Sequence, residues 1–226
     1  MVDNYYPDEE KTTTTGGKMM SKKVLFIKGT PLPAGISRSM EVANAFIVAY
    51  QKQNPNDEII ERDLFSGEVP YIDGDVLSGW GKFANNEALT ETETRKVTAF
   101  NVFTEEFLAA DKVIVQSSMW NLSVAPQVKG WLDTINVAGK TFNYTEAGPV
   151  GLVTDKKAIH IHGAGGIYST TAGSQHSDAL VTDILKFIGT DVLPTIWVEG
   201  LDYNPEAKEE TMQKIIATAE TVARQF

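Results

Sequence analysis

The sequence of 226 residues contains no cysteine. That absence excludes a disulfide framework, a cysteine nucleophile, and thiolate-held metal or iron–sulfur centres. Long hydrophobic runs are missing too. Stretches such as Val42 to Tyr50 fall far short of the roughly 18 residues a membrane helix needs. No basic and apolar leader opens the chain, so a soluble, cytoplasmic protein is expected. Positive charge is scarce: 20 Lys and Arg stand against 30 Asp and Glu, a formal net charge of -10. This argues against bulk attraction to nucleic acid or anionic membrane, while a local basic pocket remains compatible with it. The rest is an ordinary globular composition, 42% hydrophobic, on a chain long enough to bury a core as one large domain.

Residues 1–19 differ in character from the rest of the chain. They combine Asp3, Asp8, Glu9 and Glu10 with the run Thr12 to Thr15 and Gly16-Gly17, and carry no amphipathic period. The segment reads as a tag or disordered tail, with Met20 as a second start and residues 20–226 as the folded domain. The alternative is a natural extension that covers part of a neighbouring subunit.

From Val24 onward, short apolar runs alternate with helical patterns. Val24 to Ile27, Glu58 to Asp63, Val113 to Val115, Ala158 to Ile161 and Val192 to Val198 read as five strands, mostly with the continuous apolar character of strands covered on both faces. Helices are expected at Ser39–Gln53, from the capping box Thr90-x-x-Glu93 to Ala110, from Pro126 to Val137, at Asp178–Ile188 and at Pro205–Arg224. Leu64 to Asn86, rich in Gly, reads as a long irregular excursion. Thr141 to Thr154 reads as a β-hairpin insertion. Strand–helix alternation implies an α/β three-layer sandwich around a five-stranded parallel sheet with right-handed crossovers. In such sheets ligands bind beyond the carboxyl ends of the strands, where strand order reverses. The loops after strands one, three and four therefore hold the candidate site.

The first loop offers hydroxyls from Thr30, Ser37 and Ser39, a turn at Gly35, and the start of a helix, whose free N–H groups attract an anion such as phosphate. Lys28 and Arg38 are candidate counter-charges. The alternative is that Ser37 or Ser39 is simply an N-cap. The Gly-Lys-Ser/Thr ending of a nucleoside triphosphatase loop is missing. The second loop, Met119-Trp120-Asn121-Leu122, suits a planar ring with a polar edge, the alternative being a core cap and a turn. The third, Gly163-Ala164-Gly165-Gly166, lets backbone approach a ligand closely. It lacks the third glycine of the dinucleotide fingerprint, and no Gly-x-Ser-x-Gly elbow supports a serine hydrolase. His160 and His162 share one strand face. With only His176 besides and no carboxylate cluster, they read as structural rather than metal ligands.

Taken together, these segments resemble the FMN-dependent NADH-azoreductases, also described as FMN-dependent NADH:quinone oxidoreductases, of the flavodoxin-like superfamily. The resemblance spans Met20 to the C-terminus. It rests on Lys28-Gly29-Thr30 with Ser37-Arg38-Ser39, Met119 to Leu122 with Gln127-Val128-Lys129, Thr141 to Glu146 with Gly148-Pro149, and Gly165-Gly166-Ile167. It implies a flavodoxin-like fold and an FMN cofactor. The phosphate would be held by Thr30, Ser37, Arg38 and Ser39. The ring would be lined by Met119, Trp120, Asn121 and Leu122 and met at its polar edge by Gly163, Ala164, Gly165 and Gly166. It further implies a ping-pong cycle in which NADH or NADPH gives two electrons and a quinone or azo compound takes them, with no dedicated catalytic acid or base. A homodimer is implied as well, with the hairpin enclosing the neighbouring site. The chain departs from the family in Trp120, where Tyr is frequent, in Gly163-Ala164, where Ser-Arg is frequent, and in one residue inserted between Thr30 and Gly35. A flavodoxin-type electron carrier is the alternative, although the hairpin is not expected there. A signalling receiver domain lacks its acidic pocket here.

Overall fold

The structure, a computed structural model, describes residues 21–171, 175–203 and 205–226; the reading of residues 1–19 as a tail lies outside the described residues. Strand β1 (Lys23–Gly29) is followed by α1 (Arg38–Gln53), β2 (Glu58–Asp63), α2 (Gly74–Ala84), α3 (Glu91–Ala109), β3 (Lys112–Ser118), α4 (Pro126–Ile135), β4 (Phe142–Thr145), β5 (Gly148–Gly151), β6 (Lys157–Gly163), α5 (His176–Phe187), β7 (Asp191–Val192), β8 (Ile196–Val198) and α6 (Lys208–Ala223). The main sheet runs β2-β1-β3-β6-β7 with β8 also beside β6, and every pairing in it is parallel. The chain places β2 on one side of β1 and β3 on the other, so the strand order reverses between β1 and β3.

The two-residue period of the strands divides the core into two. Leu25, Ile27, Val113, Val115 and Ala158 face one way, onto Phe103, Phe107, Val128, Trp131 and Leu185 of α3, α4 and α5. Val24, Phe26, Ile114, Ile159 and Ile161 face the other way, onto Met40, Ala43, Phe46 and Tyr50 of α1 and Met212 and Ala219 of α6. Burial on both faces is why the strands are almost continuously apolar. Phe107 and Trp131 are fully buried, and truncating either to alanine costs on the order of 3–5 kcal/mol through lost burial and the void left behind.

Two expectations need correction. The fifth strand is broken: β7 and β8 both pair with β6, and Leu193 to Thr195 between them are not strand. Pro194 sits in the gap and has no N–H to continue a ladder. Leu64 to Asn86 is not wholly irregular, because α2 occupies Gly74–Ala84, capped by Asp73, whose carboxylate accepts from the Asp75 and Val76 amides. Of the glycines that hide this helix, Gly79 serves packing. A Cβ on Gly79 would lie 2.8 Å from Cγ2 of Val97, so α2 and α3 could not approach as closely with any other residue. The capping box at Thr90 and the N-terminal Pro126 are as expected, and the hairpin is present as β4–β5.

Glu93, in that capping box, also accepts from Lys82 and Ser78 of α2. These bonds, the Lys82 ammonium first, pull its carboxyl from 4.5 down to about 2. A lowered folded-state value means that the stabilisation is complete above pH 4.5 and is lost as pH falls through about 2. Urea melts of wild type and Glu93→Gln between pH 7 and pH 2 should therefore show a steeper acid loss in the wild type. Parallel curves would remove Glu93 as an acid-sensitive link between α2 and α3.

Candidate active site

At the carboxyl edge of the sheet, Gly29, Ser118 and Gly163 end the three adjacent strands β1, β3 and β6. The loops beyond them enclose a cleft of about 230 Å³. Of the residues expected there, it is lined by Thr30, Ser37, Arg38, Ser39, Met119, Trp120, Gly163, Ala164 and Gly165. Asn121, Leu122 and Gly166 do not line it. Leu201 and Asp202, which were not anticipated, close it from the side of β8.

Its floor is a knot of hydroxyls. Ser37 is the N-cap of α1, its Oγ accepting from the Met40 amide. The capping alternative therefore holds for Ser37 and not for Ser39. Ser39 is in the first turn, and its buried Oγ accepts 2.8 Å from Nε2 of Gln116 and lies 3.1 Å from Oγ of Ser118 and 3.3 Å from Oγ of Ser37. Gln116 is itself fully buried, and its Oε1 accepts from the Gly29 amide. One side chain thus ties β3 to the end of β1 and to the start of α1. The amides of Arg38 and Ser39 have no backbone acceptor among the described residues, which leaves the positive end of α1 turned to the cleft. Arg38 is exposed there, with no carboxylate partner among the described residues. Lys28 is not a counter-charge for this loop, because its ammonium pairs with Asp63 on β2 at 2.5 Å.

The second loop is a two-residue reverse turn. Trp120 and Ser123 exchange both backbone hydrogen bonds, at 2.8 and 3.0 Å, and Asn121 and Leu122 between them have φ of 51° and 63°. Two positive values match the right-handed twist of the flanking chain. For a leucine this conformation costs about 1–2 kcal/mol, a strain of the kind that collects at binding sites. The turn presents Trp120, 41% exposed, whose ring is steadied by Phe65 at 6.2 Å. The Met119 amide donates to Gly163 O at 2.7 Å, which locks the second loop to the third.

The third loop is held by a residue that no sequence pattern announced. Glu199, just after β8, accepts from the amides of Tyr168 and Ser169 and from the Ser169 hydroxyl. The Ala164 amide adds a bond to Val198 O. Gly165 faces open space: a Cβ there would meet no protein atom within 4 Å.

Beneath these loops His160 and His162 are fully buried. Among the described residues no three His, Asp or Glu side chains gather as metal ligands would. Burial, with the neighbouring His160 ring second, pushes the His162 imidazole down to about 3. Burial works against ionised Asp178, but hydrogen bonds from His160 and Thr195 outweigh it and hold the carboxyl below its ordinary range.

A family model described as a flavodoxin-like fold matches residues 22–222. The FMN-dependent NADH:quinone oxidoreductase of Staphylococcus carnosus (strain TM300) is 45% identical over 206 residues, covering 90% of this chain and 99% of that protein. FMN-dependent NADH:quinone oxidoreductase 3 of Bacillus cereus is 45% identical over 213 residues, with the same shares covered. Among solved structures, the azoreductase from Bacillus anthracis str. Sterne has a TM-score of 0.86 at 34% identity, over 92% of this chain and all of that one. The FMN-dependent NADH-azoreductase from Bacillus anthracis str. Ames Ancestor, solved in complex with FMN, gives 0.78 at 25% identity, over 90% of this chain and 100% of that one. With this fold, this cleft and these relatives along nearly its whole length, the chain belongs to the flavodoxin-like family of FMN-dependent NADH:quinone oxidoreductases and azoreductases.

Proposed function

We propose that the protein is an FMN-dependent oxidoreductase that takes two electrons from NADH and passes them to quinones or aromatic azo compounds in a ping-pong cycle. The observation that carries this is the convergence on one cleft of a hydroxyl-lined helix start, an exposed indole and a glycine-rich loop. The relatives at 45% identity are named for this chemistry, which favours it over a carrier without its own NADH turnover.

The residues fit FMN. Thr30, Ser37, Arg38, Ser39 and the two free amides would hold the phosphate. Met119 and Trp120 would flank the ring, on the turn set by Asn121 and Leu122. The backbone of Gly163, Ala164 and Gly165 would meet its polar edge. Bound FMN supplies the hydride chemistry; the chain binds, orients and shields the reacting face. No dedicated acid or base is assigned, and substrate protons come from water. Arg38 is the one cation among the described residues lining the cleft, and with it on the FMN phosphate none is left for the extra phosphate of NADPH, which favours NADH as the donor. Among the described residues no helix is long and apolar enough to cross a membrane, and we place the enzyme in the cytoplasm.

We also read the protein as a homodimer. An apolar groove of about 530 Å³, lined by Trp80, Phe83, Val97, Val137 and Phe142 among others, runs from α2 and α3 to the base of the hairpin. There Phe142 touches the exposed Tyr144 at 5.3 Å. The test is a mass and absorption analysis of the cofactor released by heat, anaerobic titration with NADH, and light scattering. FMN, bleaching of the flavin and twice the 24.8 kDa chain mass are expected. FAD, or an apoprotein with no affinity for FMN, would overturn the cofactor. A flavin that NADH does not reduce would leave the carrier, and a monomer would remove the dimer.

Ser39→Ala separates anchoring from packing. If Ser39 donates to the phosphate, its loss removes a charge-assisted hydrogen bond of roughly 1.5–3 kcal/mol. FMN affinity should then fall about 10- to 150-fold, with turnover restored at saturating FMN. The unpaired Gln116 amide should lower apoprotein stability as well, so FMN titration and melting are measured together. Unchanged affinity with lowered stability would leave Ser39 as a partner of Gln116 only.

A further inference from the structure

Below the glycine-rich loop, five side chains form one continuous hydrogen-bonded chain. Nδ1 of His160 is 2.7 Å from Oδ1 of Asp178, and Nε2 of His160 is 2.8 Å from Oγ of Ser117. Ser117 Oγ is 3.1 Å from Nδ1 of His162, whose Nε2 is 2.8 Å from Oγ of Ser177. Thr195 donates to the same oxygen of Asp178. Ser117, His160, His162 and Ser177 are all fully buried. For two uncharged rings, proton counting leaves one direction. The carboxylate only accepts, so His160 carries its proton on Nδ1 and accepts on Nε2 from the Ser117 hydroxyl. Ser117 has then spent its one hydrogen and accepts from Nδ1–H of His162. Nε2 of His162 accepts from Ser177.

This chain lies where the three loops of the cleft must be kept in register. His162 is opposite Ser117 in the β6–β3 pairing. Ser117 precedes Ser118, which touches Ser39, and Met119, which bonds to Gly163 O. His162 itself precedes Gly163. Its partner Ser177 lies in the first turn of α5, at the far end of the loop that Gly163 begins. The His162 ring packs in a T-shape with Trp197 of β8, the ring centres 5.2 Å apart. One imidazole therefore spans the end of β3, both ends of the glycine-rich loop, and β8.

We propose that His162 is a positioning residue of this enzyme. Through a one-directional chain from Ser177 to Asp178, it fixes the glycine-rich loop and the Met119 loop at the distance that an isoalloxazine edge requires. This rests on the FMN reading above. The first test does not depend on that reading. Long-range proton–nitrogen correlation spectra of the wild-type apoprotein near pH 8 should show His162 protonated on Nδ1 and bare on Nε2. The Nε2–H form would overturn the chain. The second test titrates FMN into His162→Phe, which keeps a ring without hydrogen bonds, into His162→Asn, which keeps a donor near Ser117, and into Ser177→Ala, which cuts only the loop end. His162→Phe should weaken FMN binding at least tenfold, and His162→Asn should recover much of the loss. Ser177→Ala, which leaves the buried Nε2 of His162 unpaired and so also lowers the melting temperature, should weaken binding several-fold when titrated well below that temperature. Wild-type affinity in Ser177→Ala and in a folded His162→Phe would overturn the role. A wild type that binds no FMN would instead sink the cofactor reading while leaving the tautomer result standing.

Discussion

Gly29→Ala is expected to cost about 3 kcal/mol of stability or more, at the upper end of what overpacking does. The reason is geometric. A Cβ on Gly29 would lie 2.4 Å from the backbone oxygen of Gln116 and 2.8 Å from Cγ2 of Val128. The valine methyl can rotate away; a carbonyl in the β1–β3 pairing cannot move without separating the two central strands. The same displacement would pull the Gly29 amide off Oε1 of Gln116, whose other end holds Ser39. Loss of fold and loss of the anion site should therefore arrive together. Denaturant midpoints of apo wild type and variant read the first effect, and FMN titration of whatever remains folded reads the second. At Gly67, where an added Cβ meets nothing within 4 Å, alanine should be close to neutral. A Gly29→Ala protein as stable as Gly67→Ala would show that β1 and β3 are not packed as described.

The contrast between these two glycines shows how much of the molecule its sequence makes legible. Strands and their faces are legible because burial on both sides writes itself into runs such as Val24 to Ile27. The cleft follows from topology, since loops at a strand-order reversal converge whatever their composition. Residues whose role is set by what lies across space are not legible. Gly29 looks like any loop glycine until β3 stands beside it. Gln116 offers a faint signal, an amide directly after the apolar run Val113 to Val115. Glu199 offers none, because a carboxylate after a strand is unremarkable until the amides of Tyr168 and Ser169 come to it. Lys28 misleads for the same reason: alternation sends its side chain toward Asp63 of β2. The helix α2 is hidden because Gly79 lowers helix propensity, yet is what allows α2 against α3.

The buried histidine chain gives the largest expected dependence on pH. In the unfolded chain His162 titrates near 6.5, whereas burial and the adjacent His160 push it down to about 3 in the fold. A lowered folded-state value keeps the imidazole neutral in the core while the unfolded chain takes up a proton below about pH 6.5. Stability is therefore intact above that pH and falls as acid favours the unfolded state. At about 1.36 kcal/mol per unit, this one group should remove roughly 2 kcal/mol between pH 7 and pH 5. The loss should approach about 4 kcal/mol near pH 3, where the folded form also begins to protonate. Glu93 and Asp178, whose carboxyls are held low in the fold, add acid sensitivity of the same sign. The contribution of His162 must therefore be read by difference. His162→Gln cannot titrate but can still reach Ser177. Its unfolding free energy, measured in urea on the apoprotein, should start lower than wild type at pH 7 and converge on it, or cross it, by pH 5. Curves that stay parallel from pH 7 to pH 5 would mean that His162 binds its proton as readily folded as unfolded. The chain from Ser177 to Asp178, drawn through an uncharged His162, would then be wrong.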